Sequence, residues 1–205
     1  MIELVKTDSR WTVTINRPDK ANSLTREMLS QIADAAEAAT AARVPVFVLT
    51  GRGKVFSAGA DLDEARAGLA TDDVWERLSG AIADFPGLSV AALNGTLAGG
   101  AFGMALACDL RIAVPGAKFF YPVMKLGFLP QPSDPKRMTA LIGPARAKMV
   151  LMAGQKLTTD EALTYGLVDR VVDRDVLAAQ VDLLAEAAEA ASADIREGIK
   201  ALCSG

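Results

Sequence analysis

Two segments of this chain put small residues where a reaction could be held. Residues 46–62 read VFVLTGRGKVFSAGADL, and residues 89–113 read SVAALNGTLAGGAFGMALACDLRIA. Each is an apolar run, then a loop of Gly, Ala and Ser, then the start of a helix. Glycine and alanine let backbone approach a ligand closely. A helix start leaves N–H groups without intrahelical acceptors, and the dipole there favours negative charge. Two such groups aimed at one carbonyl oxygen make an oxyanion hole. Either segment alone also fits plain close packing of helix on strand. The recurrence of one pattern in both raises the question of a shared site.

The chain has no histidine. Ser-His-Asp and Cys-His catalysis are therefore excluded, as is a His general base. Imidazole metal sites are excluded too, and the two cysteines, Cys108 and Cys203, cannot cage zinc. No metal is expected, and proton transfer must rest on Asp, Glu, Lys, Tyr, Cys or water. Gly51-Arg52-Gly53-Lys54 fits neither GxxxxGK[ST] nor GxGxxG, so a nucleotide cradle is not expected. A net charge of −3 argues against a nucleic-acid partner. No run approaches the ~18–20 apolar residues of a membrane span. The first residues, MIELVKTDSRW, carry charge where a signal peptide needs an apolar run. A cytoplasmic location with no membrane partner is expected, and the cysteine usage agrees.

These loops need elements to hold them. With 205 residues, 51% of them hydrophobic, one domain with a sizeable core is expected over 1–205. Residues 2–7 and 11–16 alternate around Asp8-Ser9-Arg10, which predicts a hairpin. Thr25 is a plausible N-cap for a helix to about Ala42, with Leu24, Met28, Ile32, Ala35 and Ala39 on one face. Residues 46–50 and 89–94 predict buried strands. Residues 71–85 predict a helix capped by Thr71 and stopped by Pro86. Gly99 onward opens a short buried helix, and residues 109–114 and 118–122 read as strands. From Pro130 the chain turns mainly helical. Gly143-Pro144 opens a helix through Met152, Thr158 or Thr159 caps one ending near Gly166, and residues 167–172 are a last strand. The stripe Leu177, Val181, Leu184, Ala188, Ala191, Ile195, Ile199, Leu202 predicts a helical pair packed on its own core, or else a subunit interface. The strand-strand-helix rhythm of the first 120 residues suggests stacked turns.

The stretches NRPDKANSL, VLTGRGKVFSAGADL, ALNGTLAGGAFGMALACDLRIA, YPVMKLGFLP and LTTDEALTYGLVDRVV resemble the enoyl-CoA hydratase/isomerase, or crotonase, superfamily in order and spacing. The resemblance spans nearly the whole chain. It implies an α/β (α+β) fold, a stacked ββα superhelix over 1–130 with a mainly helical part over 131–205. It implies an acyl-CoA thioester as substrate, with coenzyme A entering as part of it and no separate cofactor. It implies a homo-oligomer, a trimer or dimer of trimers. Relatives usually continue for further helices beyond the point where this chain ends. By motif position the two carbonyl-polarising N–H groups are those of Ala60 and Gly100. Around them Ala21, Ala58, Asp61 and Leu62 fall at substrate positions. Lys20 and Lys54 are the cations placed to meet coenzyme A phosphates, while Arg17 and Arg52 read as surface charges.

The departures concern proton transfer. Family hydratases use two glutamates to activate and deliver water, and by position these fall on Gly103 and Val123. Neither residue moves a proton, so hydration of an enoyl-CoA is doubted. Chemistry that needs little acid–base help is favoured, such as decarboxylation of a malonyl-type thioester. A non-catalytic acyl-CoA-binding or assembly protein is the rival expectation. The loop Pro130-Gln131-Pro132-Ser133-Asp134-Pro135 is unusual for the family and stiffened by proline. Gln131 takes a position where some relatives carry aspartate, and it can orient a water. Asp134 can be a base, but Asp-Pro is also a common helix start, and the cap is the preferred reading. Tyr121 reads first as a strand-end aromatic and second as a donor. Asp61 and Asp63 read as helix caps, and Cys108 as core.

Overall fold

A computed structural model describes residues 1–204. The first strand, β1 (Ile2–Lys6), pairs antiparallel with β2 (Arg10–Ile15). Helix α1 (Arg26–Ala41) follows, its first turn capped by the Thr25 hydroxyl, which accepts from Met28 N at 3.2 Å. Then come β3 (Val46–Gly51), β4 (Val55–Ser57), α2 (Leu62–Arg66) and α3 (Val74–Ala83). The next turn is β5 (Leu88–Leu93), β6 (Thr96–Ala98) and α4 (Phe102–Ala107). A third turn holds β7 (Leu110–Ala113), β8 (Lys118–Phe120), α5 (Val123–Leu126) and α6 (Asp134–Leu151). The chain continues through β9 (Leu157–Thr158), α7 (Thr159–Tyr165), β10 (Arg170–Val171), α8 (Leu177–Ala190) and α9 (Ala193–Ser204).

Each turn gives one strand to each of two sheets. The larger sheet runs β1-β2-β3-β5-β7-β10, and the smaller runs β4-β6-β8-β9. From β2 to β10 the larger sheet is parallel. Its inner strands are apolar on both faces because both faces are covered. Phe47 and Leu49 of β3 and Ala91 and Leu93 of β5 face the main core, with α1, α3 and α4. Val46 and Val48, Val90 and Ala92 face the other way, against Leu177, Val181 and Ala185 of α8. The stripe of the C-terminal helices is thus explained in part. Its α8 half seals the outer face of the sheet, whereas Ile195, Ile199 and Leu202 of α9 are exposed.

Three local expectations are corrected. Thr71 closes a short 3₁₀ turn (Leu69–Thr71), and α3 starts later, with the Asp72 carboxylate accepting from Val74 N at 2.9 Å. The third-turn strand stops at Phe120, because Pro122 and Val123 turn the chain into α5. The helix expected to open at Gly143-Pro144 is present as the second half of α6: Gly143, at φ 78° and ψ 161°, is non-helical, and a new helical segment runs from Pro144 to Leu151. The last strand shrinks to Arg170–Val171, since the N–H groups of Leu167 and Val168 donate to the Ala162 carbonyl of α7. Thr158 is the cap of α7, in a reciprocal box with Glu161. Among the described residues, no helix is long and apolar enough to cross a membrane.

Candidate functional site

Two buried asparagines shape the loops that carry the small residues. Asn22 Nδ2 donates to the carbonyls of Arg52 (2.9 Å) and Val55 (2.7 Å). Asn94 Oδ1 accepts from Gly51 N at 3.0 Å, and its Nδ2 donates to Gly53 O at 3.0 Å. Gly95 is required beside them, because a Cβ there would lie 1.9 Å from Lys54 O. The Ser57 hydroxyl then donates to Asn22 O and accepts from Gly59 N. A bridge to Leu24 uses the Gly59 carbonyl and the Asp61 N–H. Ala60 N–H lies between these bonds and takes part in neither.

On the opposite loop, Gly99–Ala101 form a 3₁₀ turn and α4 proper begins at Phe102, later than the glycines suggest. The first turn of a helix gives Gly100 N–H no intrahelical acceptor. The loops touch: a Cβ at Gly59, whose φ is 91°, would meet Ala98 O at 2.9 Å and Gly100 N at 3.3 Å. Ala60 and Gly100 line one cavity of about 230 Å³. Its walls are mostly apolar, with Trp75, Val123, Phe128 and Leu129 among them. The larger hollow, about 660 Å³, lies between β1 and α1 and includes neither Ala60 nor Gly100.

Of the expected site residues, Ala58, Ala60, Leu62, Gly100 and Gln131 line this cavity. Gln131 is held there by Nε2 donating to Ala70 O at 3.0 Å. Lys20, Ala21, Lys54 and Asp61 are outside it. Lys20 and Lys54 are exposed. The carbonyl of Ala21 accepts from Ala58 N at 3.0 Å, so this alanine supports the loop. The Asp61 carboxylate caps α2 and takes a hydrogen bond from Arg17 Nη1 at 2.7 Å, which holds it below the usual carboxylate range. Arg52 pairs with Glu3. Cys108 is buried, and burial pushes its thiol up to about 12.

Asp134 does not cap its helix. It is the first residue of α6, after Ser133, and its side chain turns into the core with no exposure. A carboxylate turned outward could have met the helix N–H groups, but here Gly103 on the facing helix offers a gap instead. A Cβ at Gly103 would sit 2.9 Å from Asp134 Oδ1. Tyr121 Oη donates to Asp134 Oδ2 at 2.9 Å, and its ring stacks on Phe102. Asp134 is pushed up to about 7, chiefly by burial; the Glu76 carboxylate adds to the rise, while the Tyr121 hydrogen bond and Arg137 oppose it. Burial and the Asp134 charge raise the Tyr121 hydroxyl far above its ordinary value. Tyr121 also lines the cavity. Among the described residues no cluster of three or more Asp, Glu, Cys or His is placed to hold a metal.

Trp75 was not legible as a site residue. It reads as one more apolar position on α3, yet its ring lies 3.2 Å from where a Cβ on Gly100 would be. The indole Nε1 donates to Leu69 O at 2.8 Å, which fixes the ring. No spacing signal could have found it, because the contact joins two elements of different turns.

Stacked ββα turns, with two small-residue loops meeting over one apolar cavity, define a crotonase-type fold. Solved structures of that type superimpose closely. The family model described as enoyl-CoA hydratase/isomerase matches residues 7–203, and the chain belongs to that family. It is similar to a crotonyl-CoA hydratase of Syntrophomonas wolfei, 36% identical over 194 residues, which cover 90% of this chain and 74% of the relative. An enoyl-CoA hydratase structure from Bacillus anthracis has a TM-score of 0.91 at 30% identity, covering 100% of this chain and 82% of that one. DspI of Pseudomonas aeruginosa has a TM-score of 0.90 at 33% identity, covering 100% of this chain and 86% of that one.

Proposed function

We propose that this protein is an enzyme that binds an acyl-CoA thioester and stabilises its enolate on the N–H groups of Ala60 and Gly100. The observation that carries this reading is their shared cavity, in which both N–H groups lie outside the bonds that build their loops. Coenzyme A enters as part of the substrate, and no metal or further cofactor is invoked. Two backbone donors in an apolar pocket act strongly on developing negative charge, since little water screens them.

Gly103 and Val123 supply no carboxylate, so the favoured reaction is one that needs no activated water. Loss of carbon dioxide from a malonyl-type thioester fits. The C–C bond to the carboxylate breaks, its electron pair enters the thioester, and the oxygen charge falls on the two N–H groups. The described lining carries no Lys, Arg, Asp or Glu, and such walls favour expulsion of a carboxylate as neutral carbon dioxide. The exposed apolar residues of α9 are consistent with assembly into a homo-oligomer, a trimer or dimer of trimers.

The test is incubation with enoyl-, malonyl- and β-ketoacyl-CoA thioesters in ¹⁸O-water, with products read by mass spectrometry. Loss of carbon dioxide supports the reading. Heavy oxygen gained by crotonyl-CoA would establish hydration and overturn the decarboxylase reading. No change in any thioester, with binding intact, would make this an acyl-CoA-binding protein.

A further inference from the structure

Asp134 has no task in the chemistry just described. Asp134 is fully buried, its Oδ2 is held by Tyr121, and its Oδ1 has no hydrogen-bond partner among the described residues. A buried carboxylate with an unsatisfied oxygen costs stability. The chain also makes room for it, because any side chain at Gly103 would collide with Oδ1. Tyr121 connects it to the cavity. The phenol ring is fixed against Phe102, with centroids 5.6 Å apart, and the hydroxyl also accepts from Gln131 N at 3.4 Å. Tyr121 thus belongs both to the cavity lining and to the hydrogen-bond partners of the buried carboxylate.

We propose that Tyr121 is the catalytic acid–base group at the substrate α-carbon, and that Asp134 is the positioning residue that receives and returns its proton. This rests on the acyl-CoA reading of the cavity and goes beyond it. In the forward direction the Cα–H bond breaks and its proton goes to Tyr121 Oη. The Tyr121 O–H proton moves at the same time to Asp134 Oδ2, so no free tyrosinate forms. The C–H electron pair enters the thioester, and the oxygen charge rests on Ala60 and Gly100 N–H. In reverse, protonated Asp134 passes its proton to Tyr121 as Tyr121 protonates an enolate, including one left by loss of carbon dioxide.

The charged and titratable groups facing Asp134 are Glu76 from α3, Arg137 from its own helix and Tyr121 after β8, whereas α4 presents only Gly103. Glu76 is itself tied to Ser133, whose N donates to it at 3.1 Å. Because Asp134 titrates at about 7, it can act in either direction near neutrality.

The experiment is α-deuterium incorporation into butyryl-CoA in D₂O, read by mass spectrometry, beside the Kd of butyryl-CoA. Wild type is compared with Tyr121→Phe and Asp134→Asn, and folding is checked by circular dichroism. Asp134→Asn keeps an acceptor for Tyr121 but cannot take its proton. Each variant is expected to lose about 100-fold or more in exchange while butyryl-CoA binding changes little. Wild-type exchange should rise as pH rises through about 7, as Asp134 becomes the base, and Asp134→Asn should abolish that inflection. A purely structural Asp134 would leave the inflection in place. Unchanged exchange in both variants, or binding without exchange in wild type, overturns this inference alone. Failure of wild type to bind butyryl-CoA overturns the acyl-CoA reading and this inference with it.

Discussion

Asp134 occupies the space that a side chain at residue 103 would need: a Cβ on Gly103 would lie 2.9 Å from Asp134 Oδ1, with Cγ at 3.6 Å. The two residues sit on facing helices, α4 and α6, and each constrains the other. Gly103→Ala should destabilise the protein by ~1–3 kcal/mol through overpacking. Gly103→Glu should fold poorly alone, and Gly103→Glu with Asp134→Gly should recover much of the loss. Urea denaturation of the four proteins reads the coupling; additive effects would show that the two positions do not compete for space.

Asp134 also sets a sign for stability against pH. Its carboxyl titrates at about 7 when folded and near 3.8 when unfolded, so between these values the folded state holds the extra proton. Stability from this group therefore falls as pH rises from about 4 to about 7, and stays lower above. Asp134→Asn should remove that slope. At pH 8 the variant should be the more stable protein by on the order of a few kcal/mol, and at pH 4 the gap should close. A gap that does not change with pH would place Asp134 in a solvated setting.

Gly100 allows the N–H to be separated from the space around it. Gly100→Ala keeps the donor but brings a Cβ to 3.2 Å from the Trp75 ring, whereas Gly100→Pro crowds the same ring and also removes the donor. If Gly100 N–H stabilises an enolate, Gly100→Pro should turn over ~10²–10³-fold more slowly than Gly100→Ala on the same thioester. Equal losses would assign the effect to crowding of Trp75.

Arg111 is a buried cation that holds the C-terminal part to the sheet. Its Nε donates to Leu167 O at 2.9 Å and its Nη1 to Cys108 O, while Nη2 pairs with Asp169 at 3.0 Å. Arg111→Ala leaves three carbonyls, those of Leu167, Cys108 and Asp109, short of a donor and should destabilise by ~3 kcal/mol. Thermal denaturation measures it; a change below about 1 kcal/mol would mean that water satisfies these groups.

Cys108 is buried with its thiol pushed up to about 12, and Cys203 is exposed. Alkylation by iodoacetamide under native conditions should modify Cys203 only, with Cys108 reacting after unfolding. Native labelling of Cys108 would reveal opening of α4.

Much of the frame was legible in the chain because it rests on local chemistry. Thr25 and Thr158 start helices because a hydroxyl at that position meets backbone N–H groups within the same turn. The strands at 46–51 and 88–93 follow from apolar runs, and the small-residue loops at 57–60 and 98–100 show where backbone would be approached closely. Those features put Ala60 and Gly100 forward as one pair. Asp134 shows what local chemistry could not decide. Its sequence neighbours, Ser133 and Pro135, suit a helix cap, and a cap was expected. Tertiary packing overrode this, because the bare Gly103 on α4 and the Tyr121 hydroxyl after β8 offer the carboxylate a pocket and one hydrogen bond. Trp75 beside Gly100 and the sealing of the outer sheet face by α8 are of the same kind. Each joins residues far apart in the chain, and only the stacking of the turns brings them to contact distance.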